Sequence, residues 1–294
     1  MTRAGIAAPG YRLPDALRLG HVSLQISDME RSLAWYHDVL GLRVLNRDGA
    51  LATLGTHGSD TPLLELHQIA GTQALARHAK LGLYHFAILL PTRAALGSFV
   101  QHLAAIGVEA GAADHLVSEA LYLRDPDGLG IEVYADRPRD SWRVEGQQMK
   151  MASDPLDVAD LVRAANGEPW KGIPEGTVMG HVHLHVADID EAAAFYHTAL
   201  GFDKMVWQYP GALFMSAGGY HHHLGVNTWA GRGALSAGEL DARLLEWHMC
   251  LPSAEDVAAV EASLEAAGFA VTRDGDHRLA RDPWGTLVRL RRDC

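Results

Sequence analysis

Gly20-His-Val-Ser-Leu-Gln-Ile-Ser-Asp28 returns as Gly180-His-Val-His-Leu-His-Val-Ala-Asp188, and Trp35-Tyr-His-Asp-Val-Leu-Gly-Leu42 returns as Phe195-Tyr-His-Thr-Ala-Leu-Gly-Phe202. The offset is 160 in both stretches (180 − 20 and 195 − 35) with no gap between them, which marks an internal repeat rather than shared composition. In the first copy His21, Ser23 and Gln25 alternate with Val22, Leu24 and Ile26, the period of a strand. Asp28 suits a helix N-cap. Leu33, Tyr36 and Leu40 have helical spacing, so a helix is expected over 30–40, stopped by Gly41.

A second element repeats further out. Leu83-Tyr-His85-Phe-Ala-Ile-Leu-Leu90 reads as a strand before a helix over 94–106, and Leu245-Glu-Trp-His248-Met-Cys-Leu251 reads as a strand before a helix over 254–267. Each copy then closes on a turn, Asp125-Pro-Asp-Gly128 or Asp282-Pro-Trp-Gly285. The chain is thus four units, each a strand, a helix and a run of strands. Taken in sequence order they pair as two domains, 20–136 and 179–294, after an arm over 1–19. A connector over 137–178 carries a helix near 156–165, and Trp142 and Trp170 are placed to pin it to a domain surface.

The first of these turns raises a chemical question. If the hairpin is symmetric about Asp127, paired residue numbers sum to 254 and Tyr122 faces Glu132 on one side of the sheet. Glu132 lies between Ile131 and Val133. A carboxylate in an apolar strand is costly unless it is paired, protonated or bound to a metal.

Composition bounds the answer. The chain has 294 residues, 48% hydrophobic, enough for two domains with real cores. A net charge of −11 without any basic run makes nucleic acid and anionic membranes poor partners. No apolar run is long enough to span a bilayer, and residues 1–19 lack the core of a signal peptide. The two cysteines, Cys250 and Cys294, offer no disulfide framework and suit a reducing cytoplasm. The 17 histidines are the oddity, since several fall inside apolar strands.

With these motifs in place, the chain resembles the vicinal oxygen chelate superfamily over 19–290, and within it the two-domain bacterial catechol 2,3-dioxygenases. The resemblance implies an α+β fold in which four βαβββ units pair into two domains, each an open mixed-sheet barrel around a metal position. Three residues of the first domain fall at the family's metal positions: His21, His85 and Glu132. Two imidazoles and one carboxylate leave open coordination sites, as in non-heme Fe(II) oxygenases. The implied cofactor is Fe(II), and the implied substrates are an aromatic diol and O₂. Taken singly, a strand histidine is more often a packed or edge residue than a ligand; the three together carry the reading.

The second domain is a built-in control. His181 and His248 read as keeping the histidine positions, whereas seven residues after Asp282 stands Arg289, which cannot bind a cation. By the same hairpin count Leu279 replaces Tyr122. The second domain is therefore expected to lack the catalytic metal. His115, seven residues before Tyr122, resembles the family's acid/base histidine, with a plain loop histidine as the alternative. The Tyr122 hydroxyl would hydrogen-bond the bound substrate. His67 is a candidate for the cavity wall, or else a strand-edge residue. The run His221-His-His223 is discounted, because consecutive strand residues face opposite ways and cannot share one ion. Tyr36-His37 and Tyr196-His197 are expected to pack helices. The function these residues imply is extradiol ring cleavage. The alternatives are a glyoxalase-type metal-dependent isomerase, which typically uses a fourth protein ligand, and a metal-free module that binds small molecules. A homo-oligomer is an expectation from the family, whose edge strands are often covered by another subunit.

Overall fold

A computed structural model describes residues 4–75 and 80–292 of the chain. The first unit comprises β1 (Arg18–Ile26), α1 (Met29–Trp35), β2 (Arg43–Asp48), β3 (Leu51–Gly55) and β4 (Pro62–Gln68). The second comprises β5 (Lys80–Leu89), α2 (Arg93–Ala105), β6 (Gly111–Asp114), β7 (Ser118–Arg124) and β8 (Gly130–Asp136). The connector holds β9 (Val144–Glu145), β10 (Gln148–Met149) and α3 (Val158–Ala164). The third unit runs through β11 (Val178–His185), α4 (Ile189–Ala193), β12 (Asp203–Val206), β13 (Ala212–Ser216), β14 (Leu224–Asn227) and the short β15 (Leu235–Ser236). The fourth holds β16 (Arg243–Leu251), α5 (Ala254–Ala266), β17 (Val271–Asp274), β18 (His277–Arg281) and β19 (Leu287–Arg292).

The local signals act as the sequence suggests. The Asp28 side chain caps α1 by accepting from the Arg31 N–H. The helix runs on through a wider turn over Tyr36–Leu40 and stops at Gly41, whose φ of 73° favours glycine. The central strands form two sheets. One has the order β17-β18-β19-β16-β1-β4-β3-β2; the other has β12-β13-β14-β11-β5-β8-β7-β6, with β15 beside β5. Both curl into open half-barrels over one continuous core that includes Tyr36, Phe86, Phe99, Phe195 and Trp247.

The pairing of units differs from the order expected from sequence. β1 joins β16 antiparallel, and β5 joins β11 antiparallel. Units one and four therefore share one sheet, and units two and three the other, so 20–136 and 179–294 each give half of both. The physical reason is that the first strands of the units carry similar alternation, so nothing local selects a neighbour. Consecutive units keep a different contact. The Tyr36 hydroxyl donates to Asp125 Oδ2 (3.0 Å), and in the other half Tyr196 donates to Asp282 Oδ2 (2.9 Å). Each helix tyrosine thus braces the turn of the following unit.

The connector docks through both tryptophans, Trp170 against Phe99 and Trp142 against Tyr220. Cys250 is buried on β16; the sequence expectation for the two cysteines falls on Cys294 as well, which lies outside the described residues. No helix among the described residues is long and apolar enough to cross a membrane.

Candidate metal centre

The hairpin forms in the expected register: Tyr122 lies opposite Glu132. Glu132 is almost wholly buried on β8, next to β5 with its buried His85. Across the β5–β11 join stands His181, also buried. His85 Nε2 lies 3.0 Å and His181 Nε2 3.1 Å from Glu132 Oε2, and the two ring nitrogens are 3.3 Å apart. Among the described residues these three form the group of possible metal ligands whose donor atoms converge.

Burial alone would raise the Glu132 pKa, but the charge and hydrogen bond of His181, followed by those of His85, hold it well below the usual carboxylate range. Burial lowers the pKa of His85, only partly offset by Glu132. An ionised Glu132 beside a His85 ring whose charged form burial disfavours suits a divalent metal. His181 Nδ1 is buried without a hydrogen-bond partner, so this ring's polar contacts are all made through Nε2 at the cluster. Donor type, burial and convergence fit a 2-His-1-carboxylate site.

The expected triad is therefore corrected at one position. His21 lies on β1 in the other sheet, against the His248 ring, with centroids 3.8 Å apart. It is displaced because β1 pairs with β16 and not with β5. His181, the 160-residue counterpart of His21, takes its place. His67 is also in the other sheet, on β4, with Nε2 2.6 Å from Glu65 Oε1. It does not line the cavity beside the triad.

That cavity, about 260 Å³, is lined by His85, Glu132, His115 and Tyr122 together with aromatic residues. His115 Nε2 is 2.5 Å from the Tyr122 hydroxyl, and its Nδ1 is 2.6 Å from the Ala152 carbonyl. A carbonyl only accepts, so the proton sits on Nδ1 and the Tyr122 hydroxyl donates to Nε2. The turn presenting His115 places Leu116 at φ 68°, costly for a β-carbon-bearing residue. Asp114 holds it by accepting from the Leu116 N–H (2.9 Å) while pairing with Arg137 (2.6 Å). Burial, then the Glu132 charge, push the Tyr122 hydroxyl pKa well above 10. That hydroxyl stays protonated.

Sequence reasoning missed His222 and His183, which also line the cavity. His222 packs its ring 4.0 Å from that of His181, and burial holds its pKa well below 6.5. Its Nδ1 meets His221 Nδ1 at 2.8 Å, and His221 Nε2 meets Asp136 at 2.8 Å. The run lies in the bend before β14 and not in a strand, so strand alternation does not order it; His221 reaches Asp136, His222 lines the cavity and His223 Nδ1 meets Ser216. Asking where each one points would have left one for the cavity. His183 accepts at Nε2 from the Asn227 amide (2.9 Å), an orientation fixed by the Trp229 N–H donating to Asn227 Oδ1 (3.0 Å).

Symmetry locates one further position. Ala87 pairs with Glu132 across β5–β8, and His183 pairs with Gly225 across β11–β14. Since Phe86 pairs with Val182 at the centre of the join, Gly225 is the counterpart of Glu132. A β-carbon there would lie 2.9 Å from the His183 ring, so no side chain can occupy the position without moving it.

Comparison with known proteins identifies the family. A family profile described as the glyoxalase/bleomycin resistance protein/dioxygenase superfamily matches residues 18–133 and 178–290. The catechol-2,3-dioxygenase of Bacillus subtilis (strain 168) is 41% identical over 268 residues, covering 90% of this chain and 93% of that protein. The biphenyl-2,3-diol 1,2-dioxygenase 3 of Rhodococcus globerulus is 32% identical over 120 residues, covering 40% and 63%. Among solved structures, a putative dioxygenase from Bacillus subtilis superposes with a TM-score of 0.66 at 17% identity, covering 96% of this chain and 86% of that one. Glyoxalase I from Zea mays gives 0.55 at 18%, covering 94% and 92%. These two structural likenesses concern the fold alone.

Proposed function

The chain belongs to the glyoxalase/bleomycin resistance protein/dioxygenase superfamily, and we propose that within it the protein is an Fe(II)-dependent extradiol dioxygenase that cleaves a catechol-type diol with O₂. The observation that carries this reading is the convergence of His85, Glu132 and His181 on one point beside the His115–Tyr122 pair. The relative that is 41% identical, a catechol-2,3-dioxygenase by name, supports it.

His85 Nε2, His181 Nε2 and Glu132 Oε2 would hold the metal. Iron bound there supplies open coordination positions and a path for electrons between ring and O₂. The remaining work belongs to the chain. On substrate binding the Tyr122 O–H turns its single proton from His115 Nε2 to a substrate oxygen, which orients the ring and frees the Nε2 lone pair. His115 Nε2, whose lone pair faces Tyr122, takes a catechol proton and later returns it. The Ala152 carbonyl keeps the other proton on Nδ1, so Nε2 remains the basic atom. His222, packed against the His181 ring, adds a second, neutral imidazole to the cavity, braced by His221 and Asp136. The cavity's aromatic lining excludes water from the reacting groups.

A glyoxalase-type isomerase typically needs a fourth protein ligand. The position symmetric with Glu132 is Gly225, closed over by His183, which favours a site with open coordination positions. Protein purified without oxygen should carry iron and turn catechol into a yellow ring-cleavage product. A metal-replete His115→Gln variant should lose about 10²–10⁴-fold in turnover, the usual worth of a general acid–base group. Unchanged turnover would remove His115 from the chemistry.

A further inference from the structure

His181 is held differently from most ligating histidines. A histidine that binds a metal through one ring nitrogen ordinarily donates its other N–H to a carboxylate, a carbonyl or water, and that bond fixes the ring. His181 Nδ1 is buried and makes no such bond among the described residues. Two neighbouring rings pack on it instead. The centroid of His222 lies 4.0 Å and that of Tyr134 5.0 Å from the centroid of His181. Gly180 makes room for Tyr134, since a β-carbon at that position would collide with the tyrosine hydroxyl.

Both rings are tied to one carboxylate. Asp136, the last residue of β8, accepts at Oδ1 from His221 Nε2 (2.8 Å), and His221 Nδ1 meets His222 Nδ1 at 2.8 Å. The same Oδ1 accepts from the Tyr220 hydroxyl (3.2 Å). With its proton spent there, Tyr220 accepts from the Tyr134 hydroxyl (2.7 Å). Two hydrogen-bonded arms thus run from a single oxygen to the two rings packed on His181. The five aromatic and imidazole side chains are buried, whereas the Asp136 side chain is 26% exposed, so the anchor stands at the edge of the network. Trp142 of the connector packs against His221 and Tyr220, with centroids 5.2 and 5.8 Å away, and steadies the arms near their common end.

We propose that Asp136 is a positioning residue of the metal centre: through His221 and His222, and through Tyr220 and Tyr134, it sets the orientation of the His181 ring and so the direction of its Nε2. The proposal rests on the reading of His181 as a metal ligand and adds to it an anchor that does not itself line the cavity. A ring whose neighbours are fixed by a hydrogen-bonded network cannot tilt unless the network gives way. The carboxylate that a ligating histidine ordinarily bonds directly acts here at one remove, by packing.

The test is a Co(II) titration of the full-length protein after metal removal. The visible absorption of the bound ion reports both the dissociation constant and the coordination geometry. Asp136→Ala should weaken binding by about 10–100-fold, the usual effect of removing a partner behind a ligating histidine, and should change the absorption band. His221→Phe and Tyr220→Phe each cut one arm while keeping a ring in place, and each should cause part of that loss. Because both arms end on Asp136, adding the two to Asp136→Ala should weaken binding no further. Wild-type constants and spectra in Asp136→Ala would overturn the proposal, even if the metal-free variant unfolds at a lower temperature, since that is what a purely structural role predicts. Arm variants whose losses add in full to that of Asp136→Ala would overturn it as well. If Asp136→Ala does not fold, wild-type binding in both arm variants has the same force. His181→Ala serves as the reference. Tight binding that is lost in His181→Ala but kept in Asp136→Ala sinks the proposal alone. Wild type that binds no Co(II), or His181→Ala that binds it equally well, sinks the metal reading and the proposal together.

Discussion

The two half-barrels are built alike and differ at their centres. One holds His85, Glu132 and His181; the other holds Glu246, Arg289 and His21. The correspondence is fixed by register. Counting back from the helix N-caps Thr92 and Ser253 gives an offset of 161 (253 − 92), which maps His85 onto Glu246 and Ala87 onto His248. Strand pairing agrees, since His183 lies opposite His85 and its counterpart Ser23 lies opposite Glu246. Glu132 maps onto Arg289, beside His248 as Glu132 is beside Ala87. The sequence expectation that His248 keeps a ligand position is therefore corrected. Where the first centre gathers donors for a cation, the second closes on itself. Arg289 Nε and Nη2 reach Glu246 Oε1 and Oε2 at 2.8 and 3.0 Å, a two-pronged ion pair, and His248 Nε2 is 2.9 Å from the same carboxylate. The guanidinium supplies from within the positive charge that the other centre would take from a metal. One scaffold thus supports a cluster of donors left open to a cation or one closed by its own guanidinium, according to two side chains.

The sharpest way to break this comparison is to remove a ligand from each centre. Glu132→Ala or His181→Ala should strip the metal and abolish ring cleavage, because only two neutral donors or a lone His–Glu pair would remain. His21→Ala and His248→Ala should keep both. Metal analysis of anaerobically purified protein checks this, and full iron in His181→Ala would show that β11 does not supply a ligand. The converse experiment builds a site. Glu246→His with Arg289→Glu, alongside the native His21, recreates the triad in the second half-barrel. Titration with Co(II) should then count two ions per chain. Arg289→Glu alone should not suffice, since it sets two carboxylates facing each other. A double variant that folds and still binds a single ion would mean that the surrounding shell, rather than the ligand identities, decides the outcome.

How much of this was legible in the sequence follows from the range of the interactions. The four units, the helix cap at Asp28, the stop at Gly41 and the Tyr122–Glu132 register are local, and residues within a few positions of one another dictate them. Glu132 was legible because a carboxylate between Ile131 and Val133 is conspicuous. His181 and His21 are indistinguishable in the sequence because they are the same residue of a repeat, and only the long-range partner of each first strand separates them. The place of Glu246 could have been found by aligning Pro91-Thr92 with Pro252-Ser253. Matching histidine to histidine instead led to His248, two residues along on the same face of the strand. His222 is hidden because a run of three histidines reads as one ligand set, whereas each ring has a different partner.

A smaller effect concerns folding rather than chemistry. Arg289→Leu leaves Glu246 half-buried and without its guanidinium, and removes the second contact that Arg289 makes with Asp274 (2.6 Å). Removing one partner of a fully buried pair costs about 3–5 kcal/mol, and this pair is partly solvated, so a loss of about 2 kcal/mol is expected by urea unfolding. Replacing both residues, Glu246→Leu with Arg289→Leu, should recover most of it. A double variant as unstable as the single one would mean that the pair contributes more than the burial of its charges.

The smallest effect is a pH dependence confined to the second centre. Burial pushes the Glu246 pKa up, but the hydrogen bonds of His248 and Arg289 outweigh burial and bring it down to about 2, from an ordinary value of 4.5. A carboxylate with a depressed folded pKa contributes stability that is fully present above its unfolded pKa and is lost as the pH falls towards the folded one. The window is therefore between about pH 4.5 and pH 2. Allowing for screening at a partly exposed site, the contribution is about 1–2 kcal/mol. Metal-free protein is the right material, because acid would also strip the first centre and mask the effect. Unfolding free energies of wild type and Glu246→Gln should differ by that amount above pH 5 and converge as the pH approaches 2. A difference that stays constant across the window would mean that Glu246 acts by packing and not by charge, and the internal-cation account of the second centre would have to be given up.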